Sequence, residues 1–465
     1  MTPQRGNRQR RLTTARFALG VLMAALVYLP AQGANLLDIY RLAQNNDPTF
    51  RAARYTLAAA REKIPQARAG LLPKLSVNGN KNRTRATSTF TDTPTVRRSV
   101  DAWTWTVQLT QPLFRMQNVF AYKESKFQVR QARAQFARAE QTLILRVARA
   151  YFGVVAARET ISAAKAQLQA TRAQWAQAKR GFRDGTHAIT DVYEAQSRRE
   201  LAHSQLVSAR DALETQRAGL EKIIGPIPSP LDRLRPAVIV PQPQPDIPRP
   251  WVAQAQENNP AVQAQRAALA AAEAEVSKNR AAHLPTLDWS VSYGKNNTSG
   301  NIANPTDYAT RSKSIQTGLR LNIPIYAGGA MNSRIAEAMA NAYKAQAQLE
   351  AARRQAGADA RQAYAGIENG LSKVKALDSA VTSSQSAVKG NRIGFKLGIR
   401  MNINVLNAEK QLYTARRDLA KARYDTLFQG LKLKAAAGIL TASDLQALDR
   451  FLEPPLKRAA KRAAR

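Results

Sequence analysis

The chain has 465 residues, no cysteine, three histidines and a formal net charge of +37. Without cysteine there is neither a disulfide framework nor a lipid attached to an N-terminal cysteine, and the scattered His187, His203 and His283 lack metal-ligand spacing. So basic a chain suggests nucleic acid or an anionic membrane, but its Lys and Arg residues are spread along helices, so most read as solvated helical faces and no nucleic-acid partner is expected.

At the amino terminus Arg5, Arg8, Arg10, Arg11 and Arg16 precede an apolar run from Phe17 to Leu29, and Pro30 to Gly33 supply a small-residue cleavage site. Residues 1–33 therefore read as a secretory signal peptide, too short in its apolar part to span a bilayer as a helix. No later stretch reaches about 18 uninterrupted apolar residues, so an inner-membrane helical protein is not expected.

The first repeat is read over residues 34–225. Leu36 to Arg68 has helical spacing, split by Pro48 and ended by Pro65 and Pro73. A strand pair follows at 75–112, where the period becomes two: Trp103, Trp105, Val107 and Leu109 alternate with Thr104, Thr106, Gln108 and Thr110. A proline-free stretch from Gln117 to about Gly181 then opens a long helical hairpin over 117–224. At about 1.5 Å per residue such a helix needs coiled-coil partners along its length. On the returning helix Val192, Leu206, Leu213 and Leu220 share one heptad grid, interrupted by Arg199.

Residues 226–250 hold nine of the 22 prolines and read as an extended linker without a helix. The second repeat, 251–447, has a helix, a strand pair at 286–324 and a hairpin at 330–438. In its strands Leu287, Trp289, Val291 and Tyr293 alternate with Asp288, Ser290 and Ser292. Its returning helix carries Val405, Leu412, Leu419 and Leu433 on one grid, interrupted by Thr426. Gly181 and Gly185, like Gly394 and Gly398, mark the hairpin turns. Residues 448–465 read as a basic, mobile tail.

The two halves carry the same landmarks at a near-constant offset. Pro48, Pro73 and Pro112 correspond to Pro260, Pro285 and Pro324 at a constant offset of 212, and Gly181-Phe182 to Gly394-Phe395 at 213. This is the signature of an internal duplication. The strands are about 10 residues long with one apolar and one polar face, the length a tilted strand needs to cross a bilayer. A half-buried strand of a soluble sheet is the commoner reading of such a pattern. Export, aromatic residues on the apolar face, and Thr/Ser/Asn/Asp-rich loops at 86–99 and 296–313 favour the membrane. Trp103, Trp105, Trp289 and Tyr293 are then expected at the membrane interface. Four strands cannot close a barrel, so several chains must share one.

Ala69 to Leu75 (AGLLPKL), Gly398 to Glu409 (GIRMNINVLNAE) and Leu431 to Gly438 (LKLKAAAG), set within this duplicated plan, resemble the TolC family of outer-membrane efflux and secretion proteins. The resemblance implies an α+β membrane protein: a homotrimer with four transmembrane strands per chain, a 12-stranded barrel, and a periplasmic α-helical coiled-coil barrel. It also implies a gate at the periplasmic helical tip. Thr190, Asp191 and Arg400 match the family's polar links there, and Phe395 stands where a tyrosine would donate to the aspartate. The family's paired aspartates at the entrance fall on Asn404 and Asn407, which would make a neutral constriction.

The function implied is a passive exit duct of a type I secretion or multidrug efflux system, set in outer-membrane lipid and reaching into the periplasm. A periplasmic adaptor and an inner-membrane ABC or proton-driven pump would be its partners. Neither an enzyme nor a cofactor is expected, since no phosphate loop or nucleophile–base set is apparent. The alternative is an exported coiled-coil scaffold or adaptor protein without a membrane barrel.

Overall fold

Asp47 and Asn259 each stand immediately before a proline that begins a helix, and they set the start of each half. The structure, a computed structural model, describes residues 34–453 except 90, 92, 93, 187, 229, 236, 237, 304 and 305. The signal-peptide reading of 1–33 and the tail residues 454–465 lie outside the described residues. In the first half α1 (Leu36–Asn46), α2 (Pro48–Arg61) and α3 (Lys63–Ala69) lead into β1 (Lys74–Ser88) and β2 (Val96–Phe114). Next come α4 (Met116–Arg183) and α5 (Ile189–Ile224). After β3 (Arg233–Leu234), the order recurs as α6 (Pro248–Asn258), α7 (Pro260–Arg280), β4 (Thr286–Thr298), β5 (Thr310–Asn322), α8 (Ala330–Lys396) and α9 (Asn402–Ala436). The chain ends in α10 (Ala442–Asp449) and β6 (Leu452–Glu453).

The prolines at the first position of α2 and α7 cost nothing there, because that N–H has no helical acceptor and the ring presets φ. The Asp47 side chain accepts from the backbone N–H of Thr49 (2.7 Å) and Phe50 (3.4 Å) and pairs with Arg146. Burial alone pushes the Asp47 carboxyl up, but the Thr49 hydrogen bonds and the Arg146 charge outweigh it and hold the carboxyl below its usual range. In the second half Asn259 Oδ1 accepts from Ala261 N (2.8 Å), while its Nδ2 donates to the Ala436 carbonyl (2.9 Å) at the end of α9.

The described residues fall into two units, whose boundaries cut α1 after Ala43 and α4 after Arg146. One unit holds Gln44–Arg146 and Val240–Thr441. It contains a four-stranded antiparallel sheet of order β1-β2-β4-β5, in which β2 and β4 join the two halves. Beside it α6 and α7 pack on the α8–α9 hairpin: Trp251 with Tyr364, Ile367 and Leu433, and Ala255 with Val262, Leu349 and Ala360. Trp251 Nε1 donates to the Pro245 carbonyl (2.9 Å), so this buried ring keeps its polar atom satisfied.

The other unit holds the described residues up to Ala43, Val147–Ile239 and those from Ala442 onward. There α5 packs against the second part of α4 through Leu168, Ala202 and Leu206. The fully buried Tyr151 donates to the Asp232 carbonyl (2.8 Å). Residues 448–453 depart from the expected mobile tail: Leu452 and Glu453 pair with Leu234 and Arg233, and Arg233 Nη2 reaches Glu453 Oε1 at 2.9 Å. The linker likewise is not wholly extended. It supplies β3, Leu231 bridges Ala34, and its last residues begin α6, because prolines are welcome in a first helical turn.

The long helices run as the sequence predicts, 68 residues in α4 and 67 in α8, each about 100 Å at 1.5 Å per residue. The heptad positions Val192, Leu206, Leu220, Val405, Leu412, Leu419 and Leu433 are buried. Both interruptions have a physical role. Arg199 lies over the Trp175 ring, 4.4 Å from its centroid. Thr426, 2 % exposed, donates to the Ala422 carbonyl (2.7 Å) and fills the space opposite Gly370. Close approach uses the same device in both halves: a Cβ on Gly153 would meet Gln216 at 2.3 Å, and one on Gly366 would meet Gln429 at 3.2 Å.

Candidate functional site

The sheet has two chemically distinct faces, fixed by its register. Leu75 lies opposite Leu109, which lies opposite Val291; Val77 lies opposite Val107, then Tyr293, then Ile315. Gln111 lies opposite Trp289, then Leu319. Since partners across a ladder share a face and alternate residues reverse it, these apolar side chains form one continuous band over four strands. The other face carries Ser76, Asn78, Thr106, Gln108, Thr110, Ser290, Ser292, Ser314 and Gln316, all hydrogen-bonding groups. The apolar face is uncovered: Leu75 and Val77 are each 69 % exposed, Ile315 75 % and Leu319 67 %.

Trp103, Trp105, Trp289 and Tyr293 all fall on this apolar face, as the alternation predicts. The Trp105 and Tyr293 rings meet edge-to-face with centroids 5.4 Å apart, a favoured aromatic geometry. Trp289 Nε1 donates to Thr317 Oγ1 (3.2 Å). Trp103 and Trp105 sit toward the loop end of the sheet and Trp289 toward its helical end, so the aromatic residues are divided between the two ends of the band. The strands, of 13 to 19 residues, exceed the expected length, because the β1–β2 ladder continues past the apolar band to the Ser88–Val96 pair.

The hairpin tips are built alike in the two units. Of the four glycines expected at the turns, only Gly185 (φ 72°) and Gly398 (φ 74°) adopt the left-handed conformation. Gly181 and Gly394 instead belong to the last turn of α4 and α8. Their carbonyls accept from Thr186 N (2.8 Å) and Ile399 N (2.9 Å), while Gly185 N and Gly398 N donate to Phe182 and Phe395 (each 3.1 Å). This paired closure needs positive φ only at the second residue past the helix, just after the C-cap, hence glycine there. Gly394 has a second reason to lack a side chain: a Cβ would lie 2.8 Å from Arg400 Cγ, whose stem crosses it.

Around the first tip Thr190 is exposed, and Asp191 is partly exposed in the first turn of α5, where a carboxylate suits the helix dipole. Around the second tip Phe395 is partly buried, Arg400 exposed, Asn404 partly buried and Asn407 exposed. The sequence did not single out the pair that ties α8 to α9 here. Glu409, 4 % exposed, accepts from Arg392 Nη2 (2.6 Å) and Nε (3.1 Å). The positions matching Arg392 and Glu409 in the first hairpin are Lys179 and Gln196, so the fork belongs to the second copy.

A polar cleft of about 620 Å³ is lined by Gln135, Arg138, Gln265, Gln355, Gln429 and Lys432 among others. Its lining also holds one carboxylate, Asp359, and one hydroxyl, Thr142, among the amide and cationic groups. Among the described residues no cluster of His, Asp and Glu is arranged to hold a metal ion, and no helix is long and apolar enough to cross a membrane.

The sequence profile of the outer membrane efflux protein family matches residues 39–226 and 251–439. The chain is 32 % identical to the alkaline protease secretion protein AprF of Pseudomonas aeruginosa, over 94 % of this chain and 90 % of that one. It is 31 % identical to the outer membrane protein TolC of Escherichia coli, over 92 % and 86 %. Among solved structures it superposes on the outer membrane protein VceC of Vibrio cholerae with a TM-score of 0.73 at 17 % identity, covering 87 % of this chain and 96 % of that one. The CmeC outer membrane channel of Campylobacter jejuni gives 0.74 at 16 % identity, covering 90 % of each; both show the shared α+β fold. The chain belongs to the outer membrane efflux protein family, and is a TolC-type efflux or secretion channel of the Gram-negative outer membrane.

Proposed function

We propose that three copies of this chain form a passive exit duct, with a 12-stranded barrel in the outer membrane and a periplasmic tunnel of 12 helices. One observation carries this reading: the two-faced sheet has an uncovered apolar face and ends in two edge strands, β1 and β5. In lipid every backbone polar group needs a partner, so an open edge is not tolerated and a four-stranded sheet must continue into other copies. Pairing β5 of one copy with β1 of the next closes the barrel, with the apolar band toward lipid and the Ser/Thr/Asn/Gln face toward a wet lumen. From Gln111, the partner of Trp289, to Trp103 is eight residues along β2. At about 3.4 Å per residue and a tilt of roughly 40°, that is about 21 Å between the helical-end and loop-end tryptophans. This suits the spacing of a barrel's two aromatic girdles, with the Trp105 and Trp103 rows at the outer boundary.

The tips at Gly181–Thr190 and Gly394–Ile403 are the periplasmic entrance. Thr190, Asp191, Phe395 and Arg400 form its latch region, and Asn404 and Asn407 a neutral constriction. A periplasmic adaptor and an inner-membrane ABC or proton-driven pump supply the energy, for type I secretion or efflux. The matching halves are the product of a duplication, which lets one chain supply two strand pairs and two hairpins. Purified protein should run as a trimer in detergent and form ion-conducting pores in planar bilayers. A monomer that stays soluble without detergent and makes no pores would overturn the reading.

A further inference from the structure

The uncovered face does not stay apolar to its loop end. Beyond the row Val77, Val107, Tyr293 and Ile315 comes the row Gly79, Trp105, Lys295 and Lys313, and then Lys81, Trp103, Asn297 and Arg311. Four cations and two tryptophans thus share the side that carries the apolar band. Lys295 and Lys313 are direct cross-strand partners, an arrangement of like charges that destabilises a sheet unless something compensates it. Among the described residues, none of Lys295, Arg311 and Lys313 makes an ion pair. Of the carboxylates on this part of the chain, Asp101 faces Arg83 first and also feels the Lys81 charge, so among the described residues the cations without a carboxylate partner are Lys295, Arg311 and Lys313. Asp101 is held by Arg83, Nε to Oδ1 at 2.7 Å and Nη2 to Oδ2 at 2.9 Å, and Asp307 accepts from Asn301 N (2.9 Å).

We infer that Lys81, Lys295, Arg311 and Lys313 form a docking surface for the phosphate-bearing headgroup of an outer-leaflet lipid. The inference rests on the lipid-facing reading of the apolar face given above. An anion between Lys295 and Lys313 removes their mutual repulsion, and a phosphate offers several acceptor oxygens to several ammonium and guanidinium donors. The occupant must be amphipathic, because the basic rows continue without a break into the apolar rows below them. A soluble anion satisfies only the upper half of this surface; a lipid satisfies both. Trp103 and Trp105 lie in the basic rows, where the amphipathic indole ring suits the boundary between headgroup and acyl chain.

The test is native mass spectrometry of the detergent-purified protein titrated with diphosphoryl lipid A or with the same lipid stripped of its phosphates. The wild type should retain the phosphorylated form preferentially. Combined Lys295→Ser, Arg311→Ser and Lys313→Ser should weaken that retention on the order of 100-fold, about a factor of five per cation near an anionic lipid. Lys373→Ser, Lys375→Ser and Lys389→Ser, which remove the same charge from exposed positions on α8, should leave it unchanged. Equal retention of both lipids by the wild type overturns the inference without recourse to any variant. A triple strand variant that inserts, conducts and still binds the phosphorylated lipid as tightly also overturns it, while leaving the duct reading intact. Failure of the wild type to insert and conduct sinks the duct reading instead.

Discussion

Arg115 grips Asp288 with two prongs, Nε to Oδ1 at 2.8 Å and Nη2 to Oδ2 at 2.5 Å. Arg115 stands between β2 and α4 of the first half, and Asp288 lies in β4 of the second, so this fork ties the two halves where strands give way to helices. The flat guanidinium matches the carboxylate, and Asp288 is 8 % exposed. Arg115→Ala leaves that carboxylate without its partner and should cost about 1–3 kcal/mol, the lower part of the range reflecting the partly exposed arginine. Thermal unfolding in detergent, run as a double-mutant cycle with Asp288→Asn, isolates the coupling. Additive effects would show that the fork contributes nothing.

The glycines of the second hairpin are sterically unequal, and their substitutions should be too. Gly438 has φ 79°, and a Cβ there would lie 2.3 Å from the Asn258 carbonyl oxygen, so Gly438→Ala should abolish folded protein. A Cβ on Gly370 would lie 2.5 Å from Thr426 Oγ1 and 2.9 Å from its Cγ2. Gly370→Ala should cost about 1–3 kcal/mol, largely recovered when combined with Thr426→Ala, which empties the same space. Gly390, with nothing near its missing Cβ, should accept alanine with no loss. Similar stabilities for all three alanine variants would contradict this packing.

On the proposed reading of the tips as the entrance, Arg400→Ser should weaken closure and raise single-pore conductance in planar bilayers; an unchanged conductance would show that Arg400 is no latch. Converting Asn404 and Asn407 to Asp should create block by trivalent cations, because stacked carboxylates bind them and amides do not. Persistent insensitivity would place these side chains away from the constriction. Arg392→Ala should act locally, removing the two-pronged contact to the buried Glu409 and speeding amide exchange at the second tip.

Asp449 supplies a pH dependence of definite sign. Its Oδ1 accepts from Leu36 N (2.8 Å) and its Oδ2 from Leu37 N (3.3 Å), so it caps α1 from the other end of the chain. Burial pushes its carboxyl up from 3.8 to about 6, the two backbone donors opposing it. The folded state then holds this proton more tightly than the unfolded state. The group's contribution is most favourable below 3.8 and is lost as pH rises to about 6. Asp449→Asn keeps one acceptor and removes the proton, so stability against pH should slope less between those values than in the wild type. An unaltered slope would assign the dependence to other groups.

Much of this architecture is legible in the chain because it rests on local periodicity. The change from a 3.6 to a 2.0 repeat at the strands, the heptads on α5 and α9, and the proline-free length of α4 and α8 each need only neighbouring residues. The glycines at the turns were legible, but not their division of labour: Gly185 and Gly398 take positive φ, while Gly181 and Gly394 are helical residues whose carbonyls accept from Thr186 and Ile399. The order of the tail was not legible, because Leu452 and Glu453 are held by Leu234 and Arg233, more than 200 residues away.

The sequence by itself determined the repeated landmarks and the two faces of the strands carrying Trp103 and Trp289, because these follow from spacing along the backbone. Only the tertiary structure decided which residues of the two halves share a row. The β2–β4 ladder, set by hydrogen bonds between strands nearly 200 residues apart, brings Trp105 beside Lys295 and so places Lys81, Lys295, Arg311 and Lys313 along one rim of the apolar band. Shifting that ladder by two residues would keep every side chain on its own face but place Trp105 in a different row, and no local pattern fixes such a choice.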